Sequence, residues 1–163
     1  MIFPGVGSFG DSSDQLKKQS LFEPIREWII NDRPFLGICI GFQMLFDSSE
    51  ESPGSEGLGI IPGKVIKFSE QTNLKVPHMG WNKVQIKNLN DPVWQKIDDF
   101  THFYFVHSYF PKPDNPGVSS STTGYGVDFT SSIRYGNIFG TQFHPEKSQK
   151  SGLRLIENFL KST

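Results

Sequence analysis

At 163 residues with a net charge of −1, the chain is one domain long and has no basic surplus to hold nucleic acid or an anionic membrane surface. Its single cysteine excludes an internal disulfide and suits a reducing cytoplasm, and no apolar run reaches the length of a membrane span. Fifteen phenylalanines predict a core rich in aromatic rings.

In chain order, Ile2-Phe3 reads as the tail of a strand that ends in the loop Pro4-Gly5-Val6-Gly7-Ser8-Phe9-Gly10. A helix follows from about Asp14 through Asn31, with Leu21, Ile25, Trp28 and Ile29 spaced for one face and Pro24 starting its second half. The apolar run Pro34-Phe35-Leu36 predicts a strand, and Gly41 through Phe46 a short helix with Phe42, Leu45 and Phe46 on its apolar face. Asp47 to Glu56, acidic and rich in serine, reads as a solvated loop. After Gly57 the pattern turns to strands: Lys64–Phe68, Val84–Lys87, Phe103–Ser108, Phe129–Arg134 and Ile138–Phe143, with Tyr135-Gly136-Asn137 as a hairpin turn. A last helix over about Gly152–Lys161 carries Leu153, Ile156, Phe159 and Leu160. The expected class is α/β with an added antiparallel portion. No internal repeat is visible.

The thiol of Cys39 sits in Gly37-Ile38-Cys39-Ile40-Gly41, between a predicted strand and a predicted helix. This spacing has the form of a nucleophile elbow with cysteine in place of serine. A sharp strand-to-helix turn strains the nucleophile's backbone and crowds its neighbours, and flanking glycines tolerate the crowding. The N–H after the nucleophile is then placed to stabilise a developing oxyanion. The bland alternative is a buried cysteine acting as a small hydrophobe. Against it stands Phe143-His144-Pro145-Glu146 at the end of a predicted strand, where a carboxylate beside a histidine orients it as a general base. Together the residues point to acyl transfer through a thioester. His78 and His102 carry no independent signal, and no ligand spacing supports a metal site.

Several further segments resemble the class I, triad-type glutamine amidotransferases, across nearly the whole chain. They are Pro4 to Gly10, Pro34 to Gln43, Gly57-Leu58-Gly59-Ile60-Ile61-Pro62-Gly63, Pro77-His78-Met79-Gly80-Trp81-Asn82, Phe103-Tyr104-Phe105-Val106-His107-Ser108-Tyr109, and Gly140-Thr141-Gln142-Phe143-His144-Pro145-Glu146-Lys147-Ser148. Within the family, the 77–82 segment makes the chain most similar to glutaminase subunits of imidazole glycerol phosphate synthases. The resemblance implies a flavodoxin-like fold with added antiparallel strands, and hydrolysis of L-glutamine to glutamate and ammonia without a cofactor. It implies Cys39, His144 and Glu146 as the triad, and Val6, Gly7 and Ile40 as oxyanion donors. Gly5, Gly41, Gln43, Glu51, His107, Ser108 and Tyr109 would line the glutamine pocket, the 107–109 segment largely through backbone groups. Pro77, His78, Met79, Gly80, Trp81 and Asn82 would face a β/α-barrel synthase subunit in a cytoplasmic heterodimer, to which the ammonia passes for histidine biosynthesis.

The chain departs from that family at its start. Members begin with a strand, a loop and a helix ahead of the Pro-Gly-Val-Gly strand, so an N-terminal βα unit is expected to be lacking and the native polypeptide to be longer and more stable. Three other readings stay open: a paralogous subunit feeding ammonia to a synthase that modifies surface-polysaccharide sugars, a cysteine peptidase, and a truncated, inactive assembly partner.

Overall fold

The computed structural model describes residues 1–69 and 74–162. Its strands are β1 (Ile2–Phe3), β2 (Phe35–Ile38), β3 (Ser48–Ser49), β4 (Gly63–Lys67), β5 (His78–Ile86), β6 (Thr101–His107), β7 (Tyr109–Pro113), β8 (Ser119–Tyr125), β9 (Val127–Tyr135) and β10 (Ile138–Thr141). Its helices are α1 (Phe9–Lys18), α2 (Phe22–Ile30), α3 (Ile40–Gln43) and α4 (Gln149–Lys161). The main sheet runs β1-β2-β10-β9-β8-β5-β6, and a smaller one runs β3-β4-β7. β1, β2 and β10 are parallel, whereas β10-β9, β9-β8, β8-β5 and β5-β6 are antiparallel, so the expected mixture is present.

The parallel part is covered on both faces, as apolar strands of that kind require. Side chains alternate along β2 and β10. Phe35 and Ile138 join Phe9, Phe22 and Ile29 of α1 and α2 on one face, while Leu36 and Phe139 join Leu155 and Phe159 of α4 on the other. The second face is where most rings collect: Trp94, Phe103, Phe105, Phe139 and Phe143 are all buried and in contact, with Phe103 and Phe143 centroids 4.3 Å apart.

Several elements differ from expectation, among them β5, which begins at His78 rather than Val84. The long helix is two, because Ser20 takes φ = +57° at the break after α1, and the chain restarts at Phe22. Segment 47–56 is not merely solvated: Glu51 and Ser52 accept from the N–H groups of Phe9 and Gly10 at the start of α1, and Ser13 Oγ donates to the Glu56 carbonyl. These bonds satisfy amides that a helix cannot pair within itself. Finally, β7 and β8 have no strong apolar alternation and were not anticipated. The hairpin turn at 135–137 between β9 and β10 is present, with Gly136 at φ = +56°.

Candidate active site

Cys39 lies between β2 and α3 with φ = +53° and ψ = −106°, a conformation that costs a non-glycine residue about 1–3 kcal/mol. The fold holds it there by bonding every backbone group it offers: its N–H donates to the Thr141 carbonyl at 2.7 Å, and its carbonyl accepts from Phe42 and Gln43 at 3.1 and 3.0 Å. Gly41 is dictated by proximity, since a Cβ there would lie 1.9 Å from the Phe3 carbonyl oxygen. Gly5 is dictated in the same way, with a Cβ falling 2.0 Å from Ile40 Cγ2. The 4–7 loop is therefore pressed against the residue that follows the nucleophile. The N–H groups of Val6, Gly7 and Ile40 donate to no acceptor among the described residues.

His144 extends from the end of β10 and caps the 3-10 turn Pro145–Lys147, and that turn swings Glu146 back so that its Oε1 meets His144 Nδ1 at 2.7 Å. The pairing thus arises from a turn rather than from two residues on one strand face. The backbone of His144 is clamped as well. Its N–H donates to the Tyr104 carbonyl (2.8 Å), while Ser148 Oγ donates to the His144 carbonyl (2.6 Å) and accepts from Tyr104 N–H (2.9 Å). Nε2 is buried without a hydrogen-bond partner. Burial alone would lower the imidazole pKa, but negative charge on the nearby Cys39 sulfur and on the Glu146 carboxylate outweighs it and raises the value to about 9. Burial works to raise Glu146, and its bond to His144 overcomes that, leaving the carboxyl below its usual range. A thiol, an imidazole with a strong hold on a proton and an orienting carboxylate are the parts of a nucleophilic acyl-transfer centre.

Gln43 and Tyr109 converge on the same centre. Gln43 is buried, and its Nε2 donates both to the Tyr109 carbonyl and to Gln142 Oε1, each at 3.0 Å. The Tyr109 carbonyl also takes a hydrogen from His107 Nδ1 at 2.8 Å, which fills both lone pairs. Both nitrogens of His107 are engaged, the other by His78 at 2.9 Å. The His107 ring and the Tyr109 carbonyl are therefore engaged internally, and lining of the pocket by 107–109 would fall to the other backbone groups of the segment. Ser108 sends its carbonyl to Phe68 N–H. Glu51 has one carboxylate oxygen fixed to Phe9 N–H at 2.8 Å.

The 77–82 segment divides by the period of β5. Met79 and Trp81 face outward, 63% and 47% exposed, and Trp81 meets Tyr104 edge-on at 6.1 Å. Pro77 is exposed, while Gly80 and Asn82 are half-buried. His78 is the exception: it points inward and is buried between Phe105 and Tyr125, so its side chain is not on that surface. A cavity of about 670 Å³ lined by Trp81, His102, Lys150 and Leu153 reaches Ser148 from the same side. Sequence reasoning gave no role to Gln142 or Ser148, although both lie in the 140–148 run; two residues before His144, Gln142 falls on its side of an extended chain.

The glutamine amidotransferase class-I family model matches residues 1–163. The chain belongs to that family. Imidazole glycerol phosphate synthase subunit HisH of Rhodopirellula baltica is 48% identical over 159 residues, covering 98% of this chain and 77% of that protein. Chloroplastic imidazole glycerol phosphate synthase hisHF of Arabidopsis thaliana is also 48% identical, over 98% of this chain but only 27% of its own length. Among solved structures, PurLQS from Thermotoga maritima superposes with a TM-score of 0.73 at 17% identity, covering 99% of this chain and 78% of that one, a likeness of fold. The class-I amidotransferase fold expected from the sequence is thus the fold observed.

Proposed function

We propose that this class-I glutamine amidotransferase is the glutaminase subunit of an imidazole glycerol phosphate synthase, working in the cytoplasm beside a β/α-barrel synthase subunit. The observation that carries the chemistry is the 2.7 Å His144–Glu146 pair facing a strained Cys39. Similarity to HisH and hisHF proteins supports the choice of synthase.

In this reading His144 Nε2 holds the proton taken from the Cys39 thiol, and the Cys39 sulfur attacks the side-chain amide carbon of glutamine. The carbonyl electron pair moves onto oxygen, and the Ile40 N–H, with Val6 or Gly7 N–H, binds that oxyanion. When the C–N bond breaks, His144 returns the proton to nitrogen and ammonia leaves, so the acyl group stays on sulfur as a thioester. Water, deprotonated by His144, attacks the thioester, and the thiolate departs to release glutamate. Gly5, Gly41, Gln43, Glu51 and Ser108 border the glutamine pocket. The exposed side chains of Met79 and Trp81 meet the partner.

The test is release of glutamate from glutamine by wild type and Cys39→Ala, each with and without the barrel subunit of a HisH-type synthase. Cys39-dependent turnover that rises when the barrel is added is the expected outcome. Cys39-dependent turnover indifferent to that barrel would overturn the assignment of partner, and turnover that survives Cys39→Ala would overturn the mechanism.

A further inference from the structure

We propose that Gln142 is a positioning residue for the nucleophile, held in orientation by a continuous hydrogen-bond chain that begins at Asn82 and turns on the Tyr109 carbonyl. The inference rests on the glutaminase reading for its kinetic consequence, but not for its geometry.

The chain can be followed bond by bond. Asn82 Nδ2 lies 3.1 Å from His78 Nε2, His78 Nδ1 2.9 Å from His107 Nε2, and His107 Nδ1 2.8 Å from the Tyr109 carbonyl. Gln43 Nε2 reaches that same carbonyl at 3.0 Å and Gln142 Oε1 at 3.0 Å, and Gln142 Nε2 lies 3.7 Å from Cys39 Sγ.

Every donor in this series is fixed by two carbonyls that can only accept. The Tyr109 carbonyl requires the proton of His107 on Nδ1, so His107 Nε2 must accept and His78 Nδ1 must donate. His78 Nε2 then accepts from Asn82, whose amide is oriented independently because Nδ2 also donates to the Gly124 carbonyl at 3.0 Å. On the other arm, the same Tyr109 oxygen requires Gln43 to present Nε2, which leaves Gln142 to accept through Oε1 and to aim its own N–H groups at the sulfur. Burial pushes His78 down to about 4 and His107 to about 3, so both stay neutral and single-tautomer under physiological conditions. Gln142 is fully buried and has no freedom to turn over.

The consequence falls on sulfur. An N–H directed at Sγ fits the thiolate, which accepts hydrogen bonds, and steers the thiol's own hydrogen away from Gln142 toward the unpartnered Nε2 of His144. Gln142 thereby fixes the direction in which the sulfur faces His144 and the incoming amide carbon. The other arm runs to Asn82, in the segment whose outer face carries Met79 and Trp81, so a displacement of that segment has a polar path to the thiol.

Three measurements on the chain test this. The first compares wild type with Gln142→Met, which keeps the volume and removes the N–H. Glutaminase kcat is expected to fall about tenfold to a hundredfold, the range for one hydrogen bond to a charged acceptor, with KM within twofold. Cys39 is the only cysteine, so iodoacetamide uptake reports that thiol alone and is expected to slow alongside. A KM rise with unchanged kcat, or unchanged alkylation, would overturn the role. The second is 15N NMR of the imidazoles, which needs no activity: Nδ1–H tautomers for both His78 and His107 are expected, and an Nε2–H tautomer at His107 would overturn the chain's direction. The third is His78→Phe, a ring of similar shape that cannot donate to His107. A twofold to tenfold loss in kcat supports the Asn82 arm, and unchanged kcat overturns it. If wild type hydrolyses no glutamine with its partner present, the functional reading fails, while the alkylation and NMR results still decide this inference.

Discussion

The contact between Gly5 and Ile40 permits a worked perturbation. A methyl group added by Gly5→Ala would stand 2.0 Å from Ile40 Cγ2 and 3.2 Å from Ile40 Cβ, where ordinary contact begins near 3.4 Å. Ile40 is buried, β-branched and stiff at χ1, so it cannot swing aside, and the 4–7 loop must retreat from the elbow by about 1.4 Å. Overpacking of this kind costs about 1–3 kcal/mol, and for a chain of 163 residues each kcal/mol lowers Tm by about 2–4 °C. The loop carries proposed oxyanion donors, and a misplacement of about 1 Å costs roughly a hundredfold in rate. Urea unfolding and glutamate release should therefore both report the change. The sharper assay is the double-mutant cycle with Ile40→Ala, which removes Cγ2. Ile40→Ala alone opens a cavity costing about 2–5 kcal/mol, but combined with Gly5→Ala the new methyl fills part of it, so the double variant should be more stable than the sum of the singles. Strict additivity, or a Gly5→Ala protein with wild-type Tm and kcat, would refute the packing argument.

Other perturbations have equally definite directions. Glu146→Gln removes one of the influences that raise His144, so an NMR titration should place its pKa below the wild-type value of about 9; an unchanged value would mean the carboxylate has no hold on the ring. Because the folded value lies above the 6.5 of an ordinary histidine, the His144 contribution to stability is fully present below pH 6.5 and fades as pH rises through about 9, and in Glu146→Gln that loss should set in at lower pH in urea titrations. Ser148→Ala deletes the hydroxyl that clamps His144 to Tyr104, and should cost about 1–3 kcal/mol in unfolding together with a fall in kcat; a stability loss with kcat intact would show that the clamp does not position the base. Phe139→Ala, at a fully buried ring touching Trp94, should cost about 3–5 kcal/mol while leaving the residual glutaminase KM unmoved, as measured by urea unfolding and by saturation curves.

How much of this was legible in the sequence depended on whether the deciding contact was local. The elbow was visible because strain, glycine spacing and strand end lie within five consecutive residues, Gly37 to Gly41. The 135–137 hairpin turn was visible for the same reason. The break after α1 was not, since Ser20 in a left-handed conformation has no composition cue as strong as glycine. β8, rich in serine and threonine, gave no apolar alternation. Its Ser121 hydroxyl instead bonds Ser131 and Ser132 across β9, a buried polar contact between positions ten or more residues apart. Gln43 stood out in the first turn after the elbow, yet its hydrogen-bond partners Gln142 and Tyr109 join it only through folding, across 99 and 66 residues of sequence. His78 was placed on a surface because the segment was read as a block, where the two-residue period of β5 separates it from Met79.

The resting site is closed, and its closure bears on how it works. Cys39 is 8% exposed and His144 2%, while Val6, in the loop above Ile40, is 79% exposed. Residues this buried point to displacement of some neighbour when substrate enters, and the candidates differ greatly in resistance. β10 and α3 are fastened to Cys39 by backbone hydrogen bonds, and the His144 backbone is clamped by Tyr104 and Ser148. The 5–7 stretch has no such fastening: the N–H groups of Val6 and Gly7 donate to nothing among the described residues, and a Cβ at Gly7 would meet no atom within 4 Å. Segments with few internal bonds open first. In the proposed mechanism, movement of this loop would both admit substrate and bring its N–H groups to the oxyanion. If the proposed partner activates the enzyme, the weakly held loop is the part it could move while Cys39, His144 and Glu146 stay where folding put them.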